Sequence, residues 1–305
     1  MPARRKNKSK KNKARLLFFV PLALVIFIIL KIVLQKSLWI GGTRLVVAVN
    51  ERDKSASIVV IDRNTNSVTK INVPKNTQID LSYGLGKWQV GSVWDLGKQE
   101  GLEGELLSKS LTKSLKMPID AWADSDFLGF WQGSLLSKTR SFVNFYQTNL
   151  SFKDKIIIYL FSLKIQPSNT YNINLAETMF FEKVRLASGE DGFIAKNNPP
   201  PSLTKLFVVN ELFKQQPPKI KLVDKSDSSL SKLDIQNLTA ILEALGAKVI
   251  GIEKKEYSSV NCIVNYAGNK SFSQKVSNIL GCSLGKENTD VDLELVLGSE
   301  FARRF

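Results

Sequence analysis

The chain contains no histidine at all. That absence removes the commonest general base, the commonest metal ligand, and the Ser–His and Cys–His nucleophile pairs. Cysteine is nearly missing too, with only Cys262 and Cys282. Two thiols cannot build a Cys-rich zinc site. They leave two readings open, a disulfide in an oxidising compartment or a pair of buried thiols. Acid is missing where it would matter most for orientation in a membrane. Residues 1–15, MPARRKNKSKKNKAR, hold eight Lys or Arg and no Asp or Glu. A block this uniformly charged cannot bury itself and stays solvated.

Directly after the basic tail comes an apolar run, LLFFVPLALVIFIIL, from Leu16 to Leu30. Lys31 interrupts it, and apolar residues resume to Leu34 and again at Leu38–Ile40. About 20 apolar residues span a bilayer as a helix. The run meets that length if the Lys31 stem snorkels to the interface. It predicts a transmembrane helix over residues 16–38, with Leu16–Leu34 as its apolar core and Trp39 as an interfacial anchor. A cleaved signal peptide is the rival reading; it calls for a small-x-small cleavage site, which Gln35-Lys36-Ser37-Leu38-Trp39 does not provide. The positive-inside rule puts the tail in the cytoplasm and everything after the helix outside it. Localisation at the cell membrane, single-pass with an extracytoplasmic bulk, is the expectation.

The formal charge of +15 comes mostly from this end of the chain. Setting aside the eight tail cations, Lys31, Lys36 and Arg44 leaves +4 on residues 45–305. That remainder carries no basic field of the kind a nucleic-acid partner needs, and no helix-turn-helix pattern is present. About 260 residues suffice for two domains.

TRLVVAVN, SASIVVID and NSVTKINVP read as three short strands, with a hairpin turn at Arg63-Asn64-Thr65-Asn66. Leucines at 102, 106, 107, 111 and 115 recur at helical spacing. Phe127–Leu136 reads as another helix, and residues 140–195 give no clear pattern. Pro-rich breaks at Asn197–Pro201 and Gln215–Pro218 bracket a connection, with a short amphipathic helix expected over Leu203–Phe213. The last stretch repeats strand–helix–strand twice. Strands are expected at 220–223, 248–252, 262–266 and 291–297, and helices at 230–245 and 272–280, the helices stopped by Gly246 and Gly281. The fold class is α/β (α+β): tail 1–15, transmembrane helix 16–38, an α/β domain 43–196, a connection 197–218, and a compact βαβ-βαβ sandwich 219–305.

LVVAVNERD, SIVVIDRNTNSVTKINVPKNT, GKWQVGSVWDLGKQEGLEG and MPIDAWADSDFLGF, in that order behind a membrane helix, resemble the LytR-CpsA-Psr family over residues 43–140. The segment from Leu206 to the end, closing on VDLELVLGSEF, is similar to the LytR C-terminal domain. The resemblance implies an envelope protein that moves glycopolymer from polyprenyl pyrophosphate to peptidoglycan. Its partners would be the lipid bilayer, such a glycopolymer and peptidoglycan, with Mg²⁺ as cofactor if the site is active. Such chemistry asks for Arg forks and carboxylate-held metal. The chain departs from that pattern. Pro-Arg-Asp-Thr reads Pro74-Lys75-Asn76-Thr77, and Ser-Asp-Thr reads Ser55-Ala56-Ser57. The later Arg-x-Arg keeps Arg185 but has Ala187. Lys75, Lys87 and Arg185 are the candidate phosphate contacts, Asp53 and Asp191 the candidate metal ligands, and Trp88 and Trp94 candidate sugar platforms or core residues. Lysine keeps charge but lacks the planar fork. The expectation is a degenerate, non-catalytic relative that binds polymer or an assembly partner; the alternative is a working phosphotransferase with unusual ligands.

Overall fold

The computed structural model describes residues 31, 34–39 and 44–305, except 132, 188, 197, 228 and 288. Most of the expected transmembrane helix lies outside the described residues. Among those residues, no helix is long and apolar enough to cross a membrane.

Strands β1 (Leu45–Asn50), β2 (Ala56–Asp62) and β3 (Ser67–Val73) come first. They are followed by β4 (Thr77–Asp80), β5 (Lys87–Gln89), helices α1 (Val90–Gln99) and α2 (Gly104–Leu115), and β6 (Ala121–Ala123). Helices α3 (Leu135–Val143) and α4 (Phe152–Ser162) lead to β7 (Thr170–Asn174), β8 (Phe181–Arg185) and β9 (Asp191–Ala195). A single turn, α5 (Pro201–Thr204), precedes the C-terminal run. That run is β10 (Lys219–Asp224), α6 (Lys232–Ala244), β11 (Lys248–Lys254), β12 (Cys262–Tyr266), α7 (Lys270–Leu280), β13 (Ser283–Leu284), β14 (Leu293–Leu297) and α8 (Ser299–Arg304). The α/β class is observed.

The first sheet has the order β6-β1-β2-β3-β7. β1, β2 and β3 form an antiparallel meander, while β6 and β7 join parallel at the two edges. Its strands are apolar on both faces because both faces are covered. Val46, Ala48, Ile58, Val60 and Ile71 pack with α1 and α2 through Val93, Trp94, Leu106 and Leu111. Val47, Val49, Val59 and Ile61 pack with α4 and the 125–130 turn through Ile158, Phe161, Phe127 and Phe130. A smaller sheet, β5-β4-β9-β8, extends from the edge of this layer.

The C-terminal sheet runs β11-β10-β14-β12-β13. Ile220, Leu222, Val264, Leu293 and Leu295 share one core with Leu238 and Leu242 of α6 and Phe272, Val276 and Ile279 of α7. Both helices therefore cover one face. α6 opens with a capping box between Ser231 and Asp234, and both helices stop where Gly246 and Gly281 take positive φ. Cys262 and Cys282 are disulfide-bonded, 4.8 Å apart at Cα, which ties β12 to the end of α7.

Three local expectations differ from the structure. Residues 127–136 do not form one helix: a 3-10 turn over Ser125–Phe130, capped by Asp124, ends before α3 begins at the Ser134 cap. The helix expected over 203–213 is only α5 and a 3-10 turn at Glu211–Lys214. Packing explains that break. Leu203 and Phe207 enter the first core and Val209 and Phe213 enter the C-terminal one, so the segment is pulled in two directions. Trp39 is not an interfacial residue. It is buried edge-on to Phe161 at 5.5 Å, with the Arg63 guanidinium 4.5 Å from its ring.

Candidate functional site

The candidate residues gather where the small sheet meets the β1–β2 turn. β4 and β9 run parallel, so both begin at the same end of the sheet. The Asn76 side-chain amide donates to the Asp191 carbonyl at 2.7 Å, and Phe193 N–H donates to the Asn76 carbonyl at 3.2 Å. Asp191 is paired with Arg185 across the β8–β9 hairpin. These links draw Lys75, Asn76, Asp191 and Arg185 to one rim.

The start of α1 closes the rim from the other side. Gly91 N–H donates to the Lys75 carbonyl at 2.8 Å. A Cβ on Gly91 would lie 3.1 Å from Lys75 Cβ and 3.3 Å from the Lys54 carbonyl, so glycine permits the three segments to touch. Asp53 faces the same place. Its carboxyl is held below the ordinary range first by hydrogen bonds from the Ser55 hydroxyl and backbone, with a smaller contribution from the Lys75 charge. The rim therefore sets two cations, Lys75 and Arg185, beside two acids, Asp53 and Asp191, near the start of α1.

Lys87 does not join this group. It pairs with Asp80 at the other end of β4–β5 and borders a cavity of about 260 Å³ with Trp88, Ser92, Leu186 and Ala187, the last three being near chain neighbours of Gly91 and Arg185. Arg185 is only half available, because its Nε donates to the Gly189 carbonyl in its own hairpin. Trp94 is core, edge-on to Trp122 at 5.7 Å, whereas Trp88 is exposed.

The positions that depart from the family pattern are each occupied structurally. Ala56, where the resemblance expects an acid, is buried in the apolar core. Asn76, where it expects a second acid, spends its amide on the backbone of Asp191. Among the described residues, the buried Ser57 and Thr77 hydroxyls have no hydrogen-bond partner. Among the described residues no three Asp, Glu or Cys side chains converge on a point that would hold a metal ion.

Comparison with known proteins sets this geometry in context. No family model and no curated protein matches the chain. Among solved structures, Bacillus subtilis TagT is similar at 14% identity and a TM-score of 0.38, covering 53% of this chain and 88% of that one. TagT bound to LI-WTA gives 12% and 0.37, covering 53% and 93%. Bacillus subtilis TagV gives 9% and 0.39, covering 68% of this chain and 100% of that one. Values this low assign no family, and the site stands on its own geometry.

Sequence reasoning missed a larger cleft beside the rim. It measures about 480 Å³ and shares Glu51, Arg52 and Asp53 with the β1–β2 turn, its far wall being Asp126, Arg140 and Asn144. Arg52 bridges to Asp126 at 3.2 Å. The buried Tyr146 phenol below it is pushed up by burial and then by Asp124 and Asp126, so it stays protonated. Arg52 belongs to the NERD segment, but Arg140 sits in a stretch with no motif, and only the fold brings it close.

Proposed function

We propose that the chain is a membrane-anchored, extracytoplasmic envelope protein of the LytR-CpsA-Psr type that binds an anionic glycopolymer without transferring it. The observation that carries this reading is the fate of the two expected acids. One position is core-packed alanine and the other an asparagine committed to backbone, while the cations Lys75 and Arg185 remain. Cations that can meet a phosphate-linked polymer are retained, while the two acids expected at positions 56 and 76 are not. The basic tail and apolar run support a cytoplasmic tail and a folded part outside. Residues 219–305 are the proposed peptidoglycan-contacting unit.

The test is titration of the full chain in detergent with a short-chain polyprenyl pyrophosphate in EDTA. Binding is expected to survive EDTA and to weaken about tenfold in Lys75→Ala and in Arg185→Ala, each loss being about 1.4 kcal/mol. With a glycan-bearing lipid pyrophosphate and an acceptor hydroxyl, Mg²⁺-dependent formation of a phosphodiester-linked product with release of polyprenyl monophosphate would instead establish the phosphotransferase. Degradation of the folded part by protease added to spheroplasts checks the topology.

A further inference from the structure

The α3–α4 hairpin leaves a strongly apolar surface uncovered. The two helices pack through Phe142, which stacks on Tyr159 at 4.9 Å and lies 5.8 Å from Phe152. Outside that contact, Leu135, Leu136, Val143, Phe145, Leu160 and Leu163 are exposed, Leu136 at 81% and Phe145 completely. Leu136 and Val143 are two turns apart on α3, and Phe152 and Leu160 fall at i and i+8 on α4, so each helix carries a stripe. Soluble surfaces scatter such residues singly and seldom group them.

Two further observations indicate what covers this surface. The chain that leaves the apolar run is fastened to this very hairpin. The buried Asp154 carboxylate, in the first turn of α4, accepts from the Ser37 hydroxyl and from the backbone N–H groups of Leu38 (3.1 Å) and Trp39 (3.3 Å). The Gln35 side chain also reaches Lys153 N–H. Residues 35–39 are therefore held against the start of α4. The charge is biased as well. Residues 135–164 carry Lys138, Arg140, Lys153, Lys155 and Lys164 against a single acid, the buried Asp154.

We infer that the α3–α4 hairpin rests on the outer surface of an anionic bilayer, its apolar stripes entering the headgroup boundary and its cations meeting lipid phosphates. Amphipathic helices bind that boundary by the same combination of apolar burial and charge. The inference rests on the membrane-anchored reading proposed for the chain. It adds that the folded part lies against the membrane on a defined face and does not swing free on its tether.

The full chain is placed in nanodiscs containing phosphatidylglycerol, with a spin label on Leu136→Cys, Phe145→Cys or Leu160→Cys. Ile250→Cys, half exposed on β11, serves as control. All four side chains are exposed, so the labels leave the core intact. Oxygen is expected to relax the three hairpin labels at least several-fold more than a water-soluble nickel reagent does, with the reverse at position 250. Water-like accessibility at all four sites, in chain that stays in the discs, overturns the inference and spares the anchor. Shielding from both reagents also overturns it: with dipolar broadening a second copy is the occupant, and without broadening residues 16–33 are. Chain that fails to enter the discs overturns the anchored reading itself.

Discussion

Replacing Lys275 by Met should unlatch the C-terminal unit from the first sheet. Lys275 projects from α7 and donates to Asp120 at 2.8 Å and to the Arg44 carbonyl at 2.6 Å. The Asp120 carboxylate also accepts from Val46 N–H at 2.8 Å, and its other oxygen has no hydrogen-bond partner among the described residues. Both side chains are almost wholly buried. Truncating one partner of a buried pair typically costs about 3–5 kcal/mol, because the other charge is stranded. At roughly 2–4 °C per kcal/mol for a chain of this size, Tm should fall by about 10 °C. Burial already holds the Asp120 carboxyl above its ordinary value, against the opposing pull of Lys275 and Val46. Without the ammonium it rises further. The folded variant then keeps a proton that the unfolded chain has lost, so its stability grows as pH falls towards the ordinary carboxyl range. The penalty should therefore be smaller at pH 5 than at pH 7. Adding Asp120→Asn should recover about 2 kcal/mol, since no charge is left behind. The assay is urea unfolding of the full chain in detergent, followed by tryptophan fluorescence at both pH values. A penalty under about 1 kcal/mol, or one that grows as pH falls, refutes the reasoning.

Three other outcomes are expected. Reducing the Cys262–Cys282 bond, which closes a loop of sequence separation 20, should cost about 3 kcal/mol, read as a lower urea midpoint for the C-terminal unit in dithiothreitol. Lys109 is pulled down to about 8 by burial and then by the Arg304 charge, so the folded chain releases its proton before the unfolded chain does. Stability from this group should climb between about pH 8 and its ordinary value near 10.5, and Lys109→Met should flatten that climb in a pH series of thermal melts. Gly104→Ala should destabilise by about 1–3 kcal/mol, measured by calorimetry, because its Cβ would sit 2.4 Å from Trp122 and 2.5 Å from Trp94.

The parts of the fold legible in the sequence are those written in local periodicity. β-branched runs marked β1, β2 and β3, and the glycine stops bounded α6 and α7 to within two residues. The unread parts depend on distant partners. α1 has no side-chain cap and begins directly from β5, so no local signal marks its start. The Leu203–Phe213 segment has helical spacing but is divided between two cores. Trp39 has the composition of a membrane anchor, yet the guanidinium of Arg63 covers its ring. At the site, a resemblance singles out Lys75, Lys87 and Arg185, whereas the pairing of Lys87 with Asp80 comes from strand order, which no spacing encodes. Lys275 is buried against the first sheet, and nothing in its local sequence marks it off from the exposed lysines.

The Asp154 clamp also has a mechanical consequence. Tension arriving along the chain from residues 34–39 meets three donors on one carboxylate before it reaches β1, an inner strand of the first sheet. Under load those bonds would peel in sequence, like a zip, and lengthen the tether while the meander stays shut. A pull that would otherwise strip out the middle of the protein is spent on a few surplus residues at its rim.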